Sequence, residues 1–173
     1  SNQDKMHKGF LPLLAGFKYA EFDDLESAKA QMGPHTAGFL VEPIQGEGGI
    51  RPASDAFMQG LRALCDKYGI IWIADETMSG FARTGEWFAF QNWSAQPDLI
   101  VFAKGSNSGY VPVGGVVISK EIAATFDERV FPGGLTYSGI GAIENSTFSG
   151  NRALRDGGGL LIAAEGAGTL TSV

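Results

Sequence analysis

The sequence has a single cysteine, Cys65, which excludes an internal disulfide. No stretch approaches the roughly 20 consecutive apolar residues that a membrane-spanning helix needs. There is no run of basic residues, and the formal net charge is -6. Nucleic acid and anionic membrane surfaces are therefore not expected as partners, because nothing clusters to neutralise phosphates. The segment 1–9 is polar and lacks the apolar core of a secretory leader, so a soluble, cytoplasmic protein is expected. His7 and His35 stand alone, without ligands at metal-binding spacing, and no metal is expected. No Gly-Lys-Ser/Thr follows the glycines of residues 46–49, so nucleotide binding has no support.

What is present reads as one globular domain. The chain has 173 residues, 44% hydrophobic and 18% charged. A chain of that size buries roughly 70% of the surface it would expose unfolded, enough for a true core. Its 25 glycines gather in loops, which implies backbone bent tightly at several points.

Along the chain, Asp23 is a good N-cap for a helix, and Glu26, three residues on, suits a capping box. Gly33-Pro34 stops that helix. Residues 37–41 form an apolar run without alternation, which predicts a strand buried on both faces and ending on Glu42. A glycine-rich loop follows. A helix is expected over 54–68, with Phe57, Leu61, Leu64, Cys65 and Tyr68 on its apolar face and Gly69 as a left-handed C-cap. Further strands are expected over 70–74, 99–103 and 116–118, then a helix over 120–128. Strand–helix–strand alternation predicts an α/β fold: a parallel-rich sheet with flanking helices. Residues 140–173 change character, with Gly, Asn, Ser and Thr between short apolar pieces. Position 139 is the expected boundary between a domain of 1–139 and a glycine-rich tail.

Three apolar runs end directly on chemistry-bearing residues: Glu42, Asp75 and Lys104. In open parallel sheets, ligands bind outside the carboxyl ends of the strands. A lysine amine is a nucleophile when unprotonated, and partial burial favours that state. Such an amine condenses with an aldehyde. If the aldehyde is that of pyridoxal 5'-phosphate (PLP), the ring becomes an electron sink, and a carboxylate beside the ring nitrogen keeps it protonated. Lys104 suits the first role and Asp75 the second. Taken alone the pair is also consistent with caps or solvated strand ends.

The surrounding motifs are more specific. Val41-Glu42-Pro43-Ile44-Gln45-Gly46-Glu47-Gly48-Gly49 is followed by Asp75-Glu76-Thr77-Met78-Ser79-Gly80-Phe81-Ala82-Arg83-Thr84-Gly85. Then comes Pro97-Asp98-Leu99-Ile100-Val101-Phe102-Ala103-Lys104-Gly105, and further on Thr136-Tyr137-Ser138-Gly139. In this order and spacing they resemble the class III (fold type I) aminotransferases over about residues 9–139. The resemblance implies that residues 1–139 are part of a large PLP-binding domain. It implies transfer of an amino group between an amino donor and a 2-oxo acid, with PLP as cofactor and a homodimer as the full-length assembly. Lys104 resembles the Schiff-base lysine, which also moves a proton between substrate and cofactor. Asp75 resembles the partner of the pyridine nitrogen, and Glu42 a glutamate supporting its surroundings. Thr136 resembles a threonine that reaches a PLP phosphate, usually the neighbouring subunit's. Glu47 resembles a loop glutamate on the substrate side that in some members pairs with a gating arginine. Arg83 falls in a structural turn. Met78 stands near the cofactor's phenolic oxygen, where ornithine-type members carry glutamine and ω-amino-acid:pyruvate or taurine:pyruvate members often do not. Residues 78–139 look more like this second group and residues 9–49 more like the acetylornithine type.

Family members are more than twice this length. Their phosphate-gripping loop, ring-stacking aromatic and carboxylate-binding arginine are not among these residues, so weak or no activity is expected of this chain alone. Beyond Gly139 the sequence departs from the family pattern, and residues 144–151 and 157–160 resemble rungs of a parallel β-helix. A tail of foreign origin and a poorly ordered glycine-rich tail are both consistent with that. Two other functional readings therefore stand beside the enzyme: a non-catalytic remnant of an aminotransferase, and a surface protein defined by its tail. Trp87, Phe88, Phe90 and Trp93 suit a substrate pocket, a subunit interface or core packing equally. Cys65, Trp72, Phe39 and Phe102 are expected in the core.

Overall fold

A computed structural model describes residues 4–128, 140–142 and 159–163. The chain divides into two compact units, residues 1–36 and 37–173. The first contains a single helical turn, α1 (Asp4–His7), and a helix, α2 (Leu25–Gln31). The cap of α2 differs from expectation. Asp24, not Asp23, accepts from the Ser27 N–H at 2.9 Å. Asp23 is left-handed, with φ 65°, a conformation aspartate tolerates better than most residues. Glu26 pairs with Lys29 and makes no capping box.

The second unit begins with β1 (Gly38–Val41) and a small hairpin of β2 (Ile44–Gln45) and β3 (Arg51–Pro52). Then come α3 (Asp55–Tyr68), β4 (Ile71–Asp75), β5 (Leu99–Phe102), β6 (Gly114–Ile118) and α4 (Lys120–Glu128). Two strands of the glycine-rich region, β7 (Ile140–Ala142) and β8 (Gly159–Ala163), complete the described elements. The sheet order is β1-β4-β5-β6-β8-β7. β1, β4 and β5 run parallel, as expected, but β6 is antiparallel to β5. The short connection between β5 and β6 explains the reversal, because a parallel return needs a crossover of a dozen or more residues.

Helix α3 is the best-determined element from sequence. Ser54 accepts from the Phe57 N–H, and Gly69 takes the left-handed C-cap with φ 60°. Phe57, Met58, Leu61, Leu64 and Cys65 are buried on one face. Tyr68, expected on that face, is 54% exposed because it lies in the last turn, beyond the sheet. Burial pushes the Cys65 thiol up to about 11. β1 is not buried on both faces: Leu40 is 60% exposed, since the strand lies at the sheet edge among the described elements. Trp72 is fully buried in β4, and Phe102 is buried in β5. The aromatic connection resolves in favour of packing. Phe88, Phe102 and Val117 form a core cluster, with Phe81, Phe90 and Ile100 against it. Trp93 donates its indole N–H to the Ala53 carbonyl at 3.2 Å, and Trp87 remains largely exposed.

At the amino ends of β4 and β5, Asp98 is the fastener. Its Oδ2 accepts from the Trp72 N–H at 2.7 Å and from Arg62 of α3 at 2.9 Å. Its own N–H donates to the Trp72 carbonyl, and its carbonyl accepts from Ser119.

Candidate active site

The three strand-end residues come together at one edge of the parallel strands. Val41 pairs with Ala74 and Asp75 with Val101, so Glu42 follows β1 beside Asp75, and Lys104 lies just past the end of β5. Neighbouring strands are about 4.8 Å apart, so register alone gathers two carboxylates and an amine at this edge.

Loops then knit the edge. Glu42 Oε2 accepts from the Gly46 N–H at 3.0 Å, which ties the start of the glycine-rich loop to the end of β1. Gly46 packs on Met78: a Cβ added there would overlap the thioether. Asp75 Oδ1 accepts from the Thr77 N–H at 3.0 Å. That fixes one oxygen and leaves Oδ2 without a hydrogen bond among the described residues. Past β5, a Cβ on Gly105 would stand 2.6 Å from the Phe81 Cβ and 3.1 Å from the Gly80 carbonyl oxygen. Only glycine permits so close an approach of the turn carrying Lys104 to the loop after Asp75. Asp75 and Met78 are half-buried, whereas Lys104 and Glu47 are exposed. Lys104 is therefore not the partly buried amine expected, because no described residue covers it. Thr136 lies outside the described residues, as do Tyr137-Ser138-Gly139. Among the described residues no cluster of His, Cys, Asp or Glu is arranged to hold a metal ion, and no helix is long and apolar enough to cross a membrane.

Sequence reasoning passed over Glu76, although it is the most deeply placed acid here, 1% exposed. Its Oε1 accepts from the Phe90 N–H at 2.8 Å and its Oε2 from the Ala89 N–H at 3.0 Å and the Ser79 hydroxyl. A signal for it was available. Strand alternation puts Glu76 on the same face as the buried Trp72 and Ala74. Burial is the largest influence on its carboxyl and pushes it above the usual carboxylate range; the charge of Asp75 adds to this, while the hydrogen bonds from Ser79, Phe90 and Ala89 pull back. The folded chain then holds this proton more tightly than the unfolded chain. Stability contributed by the protonated group is complete below the unfolded value of about 4.3 and is lost as pH rises through the folded value. Urea midpoints of the wild type should therefore fall, relative to those of Glu76→Gln, as pH goes from about 4 to about 7. A flat difference would remove this assignment.

The same residues fit PLP by the chemistry of their donors. An amine suits an aldehyde, and a half-buried carboxylate with one open oxygen suits a protonated ring nitrogen.

Comparison with known proteins agrees with this geometry. The family model "Aminotransferase class-III" matches residues 1–153, running past Gly139. The acetylornithine aminotransferase of Aquifex aeolicus is 39% identical over 151 residues, 87% of this chain and 36% of that protein. Among solved structures, the taurine:2-oxoglutarate aminotransferase of Bifidobacterium kashiwanohense, in complex with PLP and glutamate, is 49% identical with a TM-score of 0.60, covering 65% of this chain and 26% of that one. An (S)-enantioselective omega-transaminase from Thermomicrobium roseum is 48% identical with a TM-score of 0.53, covering 58% and 23%. The chain spans about a third of the length of the curated relatives it matches. None of these matches is a β-helix protein, and the β-helix resemblance of the tail finds no support in them. With residues 1–153 matched by the family model, the chain belongs to the class-III aminotransferases.

Proposed function

We propose that this chain is the cofactor-binding portion of a PLP-dependent transaminase, in which an amino donor gives its amino group to a 2-oxo acid. One observation carries the reading: an amine, Lys104, and a half-buried carboxylate, Asp75, end adjacent parallel strands and are held by the packing of Gly105 on Phe81. Residues 1–139 form part of the large domain, a glycine-rich tail follows from 140, and the full-length protein acts as a cytoplasmic homodimer.

PLP, when bound, supplies the aldehyde and the electron-withdrawing ring. Lys104 would hold the cofactor through Nζ, and its amine would serve as the general base and acid that moves the substrate proton. Asp75, whose Oδ2 is open among the described residues, would keep the ring nitrogen protonated. Glu42 fixes the Gly46 turn, Met78 packs against Gly46 and would adjoin the cofactor's phenolic oxygen, and the exposed Glu47 would serve the substrate side. Thr136 would serve a phosphate.

The donor class is the open part of the proposal. Relatives of both the taurine and the acetylornithine kind are similar to this chain, and Met78 in place of glutamine favours the taurine or ω-amino acid side. The test is a PLP titration of the full chain, followed by visible absorbance, with taurine and N-acetylornithine then added in turn. Bleaching of the yellow band by taurine ahead of N-acetylornithine is the expected result. The opposite preference would reverse the donor assignment. No band at saturating PLP would leave the chain as a non-catalytic remnant.

A further inference from the structure

We infer that Glu76 is a positioning residue: its carboxylate clamps the loop 79–90 to the end of β4, and that loop in turn seats the Lys104 turn. The importance of Lys104 rests on the function proposed above; the clamp itself does not.

The contacts run in one direction across the site. Glu76 is anchored first by its own backbone, donating to the Val101 carbonyl of β5 at 2.8 Å and accepting from the Gly80 N–H at 3.0 Å. Its side chain then gathers the two ends of the loop, Ser79 on one side and Ala89 and Phe90 on the other. Between those ends the backbone is strained. Phe81 and Ala82 have φ of 61° and 63°, in the left-handed region that non-glycine residues rarely occupy. Their N–H groups both point at the Trp87 carbonyl, at 2.7 and 3.3 Å. Strain of this kind persists only where the surroundings over-determine the conformation. The clamp supplies that constraint, and Phe81 is its product. The Phe81 ring sits edge-on to Phe88 and Phe102, with centroids 5.7 and 5.3 Å away. Its Cβ, with the Gly80 carbonyl, forms the floor against which Gly105 is pressed. Gly105 is bonded to Lys104, and both lie in a single 3-10 turn, Lys104–Ser106, closed by the Ser106 N–H on the Ala103 carbonyl at 3.0 Å.

Glutamine cannot replace this acid. Both carboxylate oxygens face backbone N–H donors, so one of them would be met by an amide NH₂. The test compares the full chain with Glu76→Gln and Ser79→Ala. Hydrogen exchange, read without cofactor, follows the amides of Ala89, Phe90 and Ser106, with Leu64 and Cys65 of α3 as internal references. A PLP titration with borohydride trapping at Lys104 follows the site. In Glu76→Gln, protection at Ala89, Phe90 and Ser106 should fall by about tenfold while α3 keeps its own. The PLP midpoint should rise by about tenfold. Ser79→Ala should move the same readouts by about threefold. If Ala89 and Phe90 lose protection but Ser106 and the PLP midpoint do not move, Glu76 is merely structural and the inference is overturned. It is equally overturned if none of the three amides changes. Should Glu76→Gln lose protection in α3 as well, Ser79→Ala decides by the same amides. Should the wild type take up no PLP, the proposed function fails, and Ser106 still decides the clamp.

Discussion

Lys104→Ala should remove most of the PLP that borohydride traps on the chain. The wild type, mixed with PLP and reduced, should carry the label on the peptide containing Lys104 and nowhere else in comparable yield. Other lysines are exposed, Lys29 among them, and react with aldehydes to some extent. What separates Lys104 is Asp75 on the adjacent strand, which offers a second point of attachment at the ring nitrogen. The mutation costs little structure. The side chain is exposed, no hydrogen bond to its amine occurs among the described residues, and the turn is held by backbone contacts of Ser106 and Gly105. Loss of label therefore reports chemistry and not unfolding. On the proposed function, loss of proton transfer alone should lower turnover by about 10²–10⁴-fold. Equal labelling of Lys104→Ala, or labelling spread evenly over surface lysines in the wild type, would remove Lys104 from the site.

Asp98→Ala should destabilise the chain by about 2–4 kcal/mol, seen as a lower urea midpoint with little change in slope. Two losses combine. The Trp72 N–H, in a fully buried residue, loses its acceptor at 2.7 Å. A buried donor left unsatisfied costs about 1–3 kcal/mol. Arg62 of α3 also loses its bond to Asp98, although it keeps Asp66 and the Gln96 carbonyl, so only part of its charged hydrogen bonding is forfeited. Asp98→Asn retains an acceptor for Trp72 and should recover about half of the loss. A change below about 0.5 kcal/mol in Asp98→Ala would show that β4 and β5 are held by their ladder alone.

The sequence was legible where local signals and burial agreed. Ser54 and Gly69 announced α3 at both ends, and the apolar runs before Asp75 and Lys104 announced β4 and β5. Spacing of motifs brought Glu42, Asp75 and Lys104 into one site before any coordinates. Elsewhere, signals competed. Asp23 and Asp24 are equivalent cap candidates by type, and only the backbone angle of Asp23 separates them. The run 37–41 is as apolar as a central strand, yet edge position is a property of the whole sheet and leaves no mark on one segment. The antiparallel turn into β6 was hidden because its signal is the shortness of a loop, not its composition. Glu76 escaped notice because an acid beside a stronger candidate reads as its solvated neighbour. Its burial follows from strand alternation carried one residue past the apolar run.

The fit of Gly46 onto Met78 bears on how such a site changes over generations. Position 46 has no room for a methyl group while a methionine lies against it, so a side chain can be gained there only after position 78 has become smaller or turned away. A side chain at position 46 and the present placement of the Met78 thioether are thereby mutually exclusive. A lineage in which residue 78 becomes smaller admits side chains at position 46 that would otherwise have to displace the methionine.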